Sequence, residues 1–169
     1  FDLYCRLLDE AMRDLKGESV SENPEPDVKI AVTAYIPDDY VPDGDQKMEF
    51  YQRLADAHRI VDLLAIREEM EDRFGRLPYQ ARSLMHIMEI RVMSRQLGLD
   101  AVHLEKSRFR LVFPEDRQLS PADVQRMVEK CSSQLEFDIG ERLSIEIRVQ
   151  GRDEIERLEK ARDTLEEIL

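Results

Sequence analysis

The apolar residues of this chain change period at Gly98, so no single class of secondary structure can bury both halves. Before it, Leu63, Ile66, Met70 and Phe74 recur at intervals of three and four, the signature of a helix face. After it, Val102 and Leu104, then Phe109, Leu111 and Phe113, alternate with polar neighbours at period two, as half-buried strands do. The fold class that follows is α+β: an N-terminal helical part, then a second half of different architecture.

Punctuation along the chain supplies the elements. Phe1, Tyr4, Leu8, Met12 and Leu15 have helical spacing, and Gly17 ends that pattern. The opening Phe1-Asp2-Leu3-Tyr4 reads as the inside of a helix in a longer polypeptide. Pro24 and Pro26 lie in a polar linker, and Val28, Ile30 and Val32 predict a short strand. Pro37 and Pro42 keep residues 35–43 out of any helix, since each removes a backbone donor and restrains its predecessor.

Asp43, with Gln46 three residues on, predicts a capped helix carrying Phe50, Tyr51, Leu54 and Ala55. A second helix from about Ile60 is expected to bury Leu63, Leu64, Ile66, Met70 and Phe74 before Gly75 and Pro78 stop it. A third runs from about Tyr79 to Leu97. Its apolar residues cover more than one face, as in the central helix of a bundle.

Beyond Gly98 the order is β-β-α-β-β-α. Two hairpins are expected, one turning at residues 105–108 and one at Gly140. Ser120-Pro121-Ala122-Asp123 opens a helix that buries Val124, Met127, Val128 and Cys131, and Asp153 with Glu156 caps the last one. The simplest packing is an antiparallel sheet with both helices on one face.

Chemistry is harder to find. The six glycines never cluster, and neither GxxxxGK[ST] nor GxGxxG occurs, so no nucleotide cradle is predicted. His58, His86 and His103 fall on three different elements, and no serine or cysteine has a nucleophile context. Asp38, Asp39, Asp43 and Asp45 do not match a calcium loop, and turn and capping roles account for them. Cys5 and Cys131 are read as reduced, buried thiols. The expectation is no catalytic residue, no cofactor and no metal. No apolar run approaches the ~20 residues needed to span a bilayer, and no export leader is recognised, so a cytoplasmic protein without membrane contact is expected.

Net charge is −12, unevenly spread. Residues 76–113 hold 7 Lys/Arg against 3 Asp/Glu, while residues 1–45 hold 4 against 12. Phosphate binding needs concentrated positive charge, so the chain as a whole is repelled by DNA and suited to a basic protein surface. Glu68, Glu69, Glu71 and Asp72 crowd the end of the second helix, where its dipole disfavours carboxylates. Such a cluster reads either as a solvated face or, because it costs locally without local gain, as a docking surface for arginines.

Four stretches carry a family resemblance. They are Phe1-Asp2-Leu3-Tyr4, Tyr35-Ile36-Pro37-Asp38-Asp39-Tyr40-Val41-Pro42-Asp43, Phe50-Tyr51-Gln52-Arg53-Leu54-Ala55, and Glu69-Met70-Glu71-Asp72-Arg73-Phe74-Gly75-Arg76-Leu77-Pro78. In this order and spacing they resemble the C-terminal domain of bacterial transcription-repair coupling factor (Mfd). The resemblance implies a non-catalytic domain of an ATP-driven DNA translocase, whose full-length partners are RNA polymerase, UvrA and double-stranded DNA. It further implies an intramolecular cover over the UvrB-like, UvrA-binding module, made through Glu69 and Asp72; the neighbouring Glu68 and Arg73 are candidates for a supporting role. Residues 1–17 would connect from the motor, and 18–169 would form the regulatory domain, helical over about 43–98 and α/β over about 99–169. The alternative is an accessory domain of the same translocase that grips nucleic acid through Arg108 and Arg110.

Overall fold

The computed structural model describes residues 24–131, 135–140 and 142–169, so the expected opening helix and Cys5 lie outside the described residues. Among the described residues, five helices and a five-stranded mixed sheet make an α+β fold. Two compact units share the chain. One contains Val32–Val92, and the other contains residues 24–31 together with Met93–Leu169. The helical unit is thus an insertion between the first two strands of the sheet unit.

In the helical unit, α1 spans Gly44–Asp56, α2 spans Ile60–Phe74, and α3 begins at Tyr79 and continues to Gln96 in the second unit. Asp43 caps α1 as expected, its carboxylate accepting from the Gln46 amide at 2.8 Å. Phe50, Leu54, Leu63, Met70, Leu84, Ile87 and Ile90 are buried to 2 % exposure or less and form the core. α3 is buried almost all round from Ala81 to Ser94, the polar side chains of Ser83, His86, Glu89 and Ser94 included.

The non-helical stretch 35–43 is anchored by specific bonds. Ile36 and Val41 are buried, and the Ile36 amide donates to Tyr51 Oη at 2.7 Å. Amides of Tyr40 and Val41 turn back onto the Pro37 carbonyl, each at 3.1 Å.

In the sheet unit, strands β1 (Asp27–Ile30), β2 (Ala101–Glu105), β3 (Arg108–Val112), β4 (Leu135–Ile139) and β5 (Leu143–Arg148) lie in the order β1-β2-β3-β5-β4. Both expected hairpins are present and antiparallel. The strand expected at Val28 joins this sheet, parallel to β2 and with Ile30 opposite Leu104. It makes an otherwise antiparallel sheet mixed. Val32 is not part of it, because the chain leaves the sheet after Ile30.

Register puts Val102, Leu104, Phe109, Leu111, Ile145 and Ile147 on one face, all buried, while Arg108, Arg110, Glu136 and Arg148 face solvent on the other. Helices α4 (Pro121–Cys131) and α5 (Glu154–Ile168) pack against each other. Leu158, Ala161 and Leu165 supply the fully buried stripe of α5. Ser120 and Asp123 cap α4 reciprocally: the Asp123 amide donates to Ser120 Oγ at 3.1 Å, and the Ser120 amide donates to the Asp123 carboxylate at 3.2 Å. α3 ends as Gly98 predicts, with φ +65° and the Leu99 amide reaching back to Ser94.

Two expected core residues face outward. Leu64 is 43 % exposed and Val128 is 49 % exposed. Each follows or adjoins the true inner residue (Leu63, Met127), and one helical step of 100° is enough to turn it out of the core.

Candidate protein-interaction site

The acidic end of α2 is assembled entirely within the helical unit, and its four carboxylates fall into two classes. Glu69 is held locally. Arg53, from α1, reaches it at 2.6 Å, and Arg73, one turn on, reaches it at 2.9 Å. These two guanidinium hydrogen bonds hold its carboxyl below the usual carboxylate range, Arg53 contributing most. Glu71 pairs with Arg67 at 3.6 Å. Glu68 and Asp72 are exposed, and among the described residues neither side chain has an ion-pair or hydrogen-bond partner.

Arg73 does more than neutralise Glu69. It donates to Gln46 Oε1 at 2.9 Å, and its guanidinium lies over Phe74 at 5.1 Å and over Phe50 at 5.5 Å. Phe50 and Phe74 meet edge to face at 6.0 Å. The cation therefore ties α2 to α1 and caps an aromatic pair, a packing role as well as an electrostatic one.

Tyr40, from the proline-bounded stretch, fixes where α2 ends. Its hydroxyl lies 2.7 Å from the Gly75 carbonyl oxygen and 3.1 Å from that of Met70, donating to this pair of acceptors. Burial, and then the charge of Glu71, push the phenol up from its ordinary value, so the ring stays a neutral donor. Gly75 itself has φ +84°, a conformation that excludes most other residues. Tyr40 was not singled out from the sequence as a site residue; its place in the Tyr35–Asp43 motif was the available signal. Tyr40→Phe is expected to lose about 1 kcal/mol and to lower the melting temperature by about 2–4 °C in a thermal melt.

Most of the other candidates are accounted for by bonds within their own unit. Asp38 pairs with Lys47 and Asp43 caps α1. Arg110 bonds Ser144 and pairs with Asp138 at 3.4 Å, so it is engaged within the sheet, while Arg108 faces Arg148 across β3 and β5. Among the described residues, no cluster of three His, Cys, Asp or Glu side chains could hold a metal, and no helix is long and apolar enough to cross a membrane.

A Tyr-x-Pro stretch docked on a Glu/Asp-rich helix end that stops at Arg-Phe-Gly is also a sequence pattern, and the model of the TRCF domain family matches residues 30–124. The chain belongs to the TRCF domain family. The transcription-repair-coupling factor of Bacillus subtilis (strain 168) is 31% identical over 164 residues, covering 94% of this chain and 14% of that protein. That of Escherichia coli (strain K12) is 30% identical over 143 residues, covering 82% and 12% respectively. That of Myxococcus xanthus is 31% identical over 130 residues, covering 77% and 11%. The chain thus spans about one-seventh of the length of the first of these relatives and less of the others. A crystal structure titled as the C-terminal domain of transcription-repair coupling factor shares the fold, with TM-score 0.67 and 22% identity, covering 88% of this chain and 97% of that one.

Proposed function

We propose that this TRCF-family chain is the non-catalytic C-terminal regulatory domain of a cytoplasmic, ATP-driven DNA translocase acting in transcription-coupled nucleotide-excision repair. In this reading residues 1–17 connect it to the motor, and residues 18–169 form the regulatory domain, helical over about 43–98 and α/β over about 99–169. The rest of the protein contacts RNA polymerase, UvrA and double-stranded DNA. This domain covers the UvrB-like, UvrA-binding module of the same polypeptide in the resting state.

The observation that supports the cover is the unequal fate of the α2 carboxylates. Glu69, with Arg73, stiffens the platform, and beside it Asp72 and Glu68 have no ion-pair or hydrogen-bond partner among the described residues. Two unpaired carboxylates four residues apart at a helix C-terminus repel each other and the helix dipole. Arginines of a partner reverse the sign of both terms, through charge-assisted bonds that form only on docking. Exposed ion pairs contribute about 0–1 kcal/mol each, so such a contact is strong enough to close and weak enough to open.

Full-length protein labelled with a photo-cross-linker at Arg76→Cys, exposed and four residues beyond Asp72, tests this directly. The expected product is an intramolecular adduct with the UvrB-like module, lost when UvrA is added. An adduct elsewhere, or one indifferent to UvrA, would sink the reading.

A further inference from the structure

A pocket of about 340 Å³ opens in the sheet unit between the β2–β3 turn and the start of α5, lined by Lys106, Ser107, Val149, Gln150, Gly151 and Arg157. Its walls are tied together. The Val149 amide donates to the Ser107 carbonyl oxygen at 2.8 Å, joining the turn to the end of β5. A Cβ on Gly151 would lie 2.7 Å from the Arg157 backbone nitrogen, so only glycine lets the chain pass this close to α5. Arg157 Nη1 donates to the Gly151 carbonyl oxygen at 3.3 Å, which holds the guanidinium at the pocket wall.

The lining is rich in donors and contains no carboxylate. Among the described residues, the side chains of Lys106, Ser107 and Gln150 have no hydrogen-bond or ion-pair partner. Glu156, next to Arg157, is engaged by Arg152 at 3.0 Å and Lys160 at 3.6 Å. Two features cost the fold something. Lys106 has φ +53°, a turn conformation ordinarily given to Gly, Asn or Asp. Arg108 and Arg148, adjoining Ser107 and Val149, lie directly opposite each other in the β3–β5 register, and like charges so placed repel.

We propose that this pocket binds the phosphate group of a small molecule, as free phosphate or as a mononucleotide. Phosphate carries a charge of about −1.5 to −2 near pH 7 and at least three acceptor oxygens. An ammonium, a guanidinium, a hydroxyl and an amide match it better than they match the two oxygens of a carboxylate. Nucleic acid is disfavoured, because a long polyanion meets the whole chain's charge of −12. A pocket-sized anion meets mainly the cations within a Debye length of about 8–10 Å. The site does not depend on the cover proposed above.

The test is a titration of this chain with inorganic phosphate and with adenosine monophosphate at constant ionic strength, followed by amide NMR shifts. Saturable shifts are expected at Lys106, Ser107 and Gly151. Lys106→Gly removes the ammonium and suits the positive φ, so it is expected to weaken binding about tenfold without lowering the melting temperature. Arg126→Gln removes the same charge outside the pocket lining and is expected to bind like the unaltered chain.

Phosphate binding as tight as that of the nucleotide assigns free phosphate, and tighter nucleotide binding assigns a mononucleotide; either supports the site. Shifts that do not saturate, equal weakening by Lys106→Gly and Arg126→Gln, or a single-stranded oligonucleotide that binds far more tightly per phosphate than the mononucleotide would overturn it.

Discussion

Full-length protein carrying Asp72→Arg is expected to bind UvrA about tenfold more tightly than the unaltered protein, with its melting temperature unchanged or slightly raised by relief of the repulsion from Glu68 and the helix dipole. The carboxylate is exposed and has no ion-pair or hydrogen-bond partner among the described residues, so replacing it breaks none of their ion pairs or hydrogen bonds. Under the proposed cover it removes attraction to the covered module, and the new guanidinium adds repulsion. Together these shift the closed-to-open balance by roughly 1–2 kcal/mol, and 1.4 kcal/mol is a factor of ten.

The matching change at Glu69 has a different expected outcome. Glu69→Arg would also open the protein, but it breaks the pairs with Arg53 and Arg73 and sets three cations together. Its melting temperature should therefore fall, and increased UvrA binding by that variant alone would be ambiguous. Titration with UvrA and small-angle scattering read the outcome. An Asp72→Arg protein that stays compact and gains no UvrA binding would end the case for the cover.

The largest expected effect on stability comes from a residue remote from the acidic tip. Arg91→Met should cost about 2–4 kcal/mol, because hydrogen bonds from a charged donor are worth about 1.5–3 kcal/mol and buried acceptors left unpaired cost more. One guanidinium nitrogen of Arg91 lies 3.2 Å, 2.8 Å and 2.9 Å from the carbonyl oxygens of Leu54, Ala55 and Ala57. These groups close the C-terminal end of α1, where backbone carbonyls lack helical partners and the dipole favours a cation.

Methionine keeps much of the side-chain length and none of the donors. A thermal melt should show a drop of roughly 5–10 °C. Arg91→Lys should recover part of it, since an ammonium is a point donor without the planar fork. A shift of less than about 2 °C in the methionine variant would mean the carbonyls find other partners.

The arginine illustrates what local pattern conveys and what it omits. Asp43, Ser120 and Asp153 were legible as caps because capping is satisfied within four residues. The hairpins were legible for the same reason, as cross-strand partners lie close in sequence. Arg91 looked like one cation among seven in a basic stretch, since its acceptors lie 34–37 residues away.

Leu64 shows the complementary failure. Hydrophobicity gives the period of a helix face, but a position at the edge of that face can turn either way, and the packed neighbours decide. The acidic cluster was visible as a cluster. Which of its members are spent on the fold and which remain available required the position of Arg53 on α1.

By itself, the sequence determined the kinds of element, their order and most of their ends, because caps, turns and apolar periods act over a few residues. Tertiary structure decided three further things: that β1 pairs in parallel with β2 although the helical unit separates them in sequence, that Tyr40 closes α2, and that Glu69 belongs to the scaffold while Asp72 has no partner among the described residues. Each depends on groups distant along the chain meeting in space, and no short window of residues encodes that meeting.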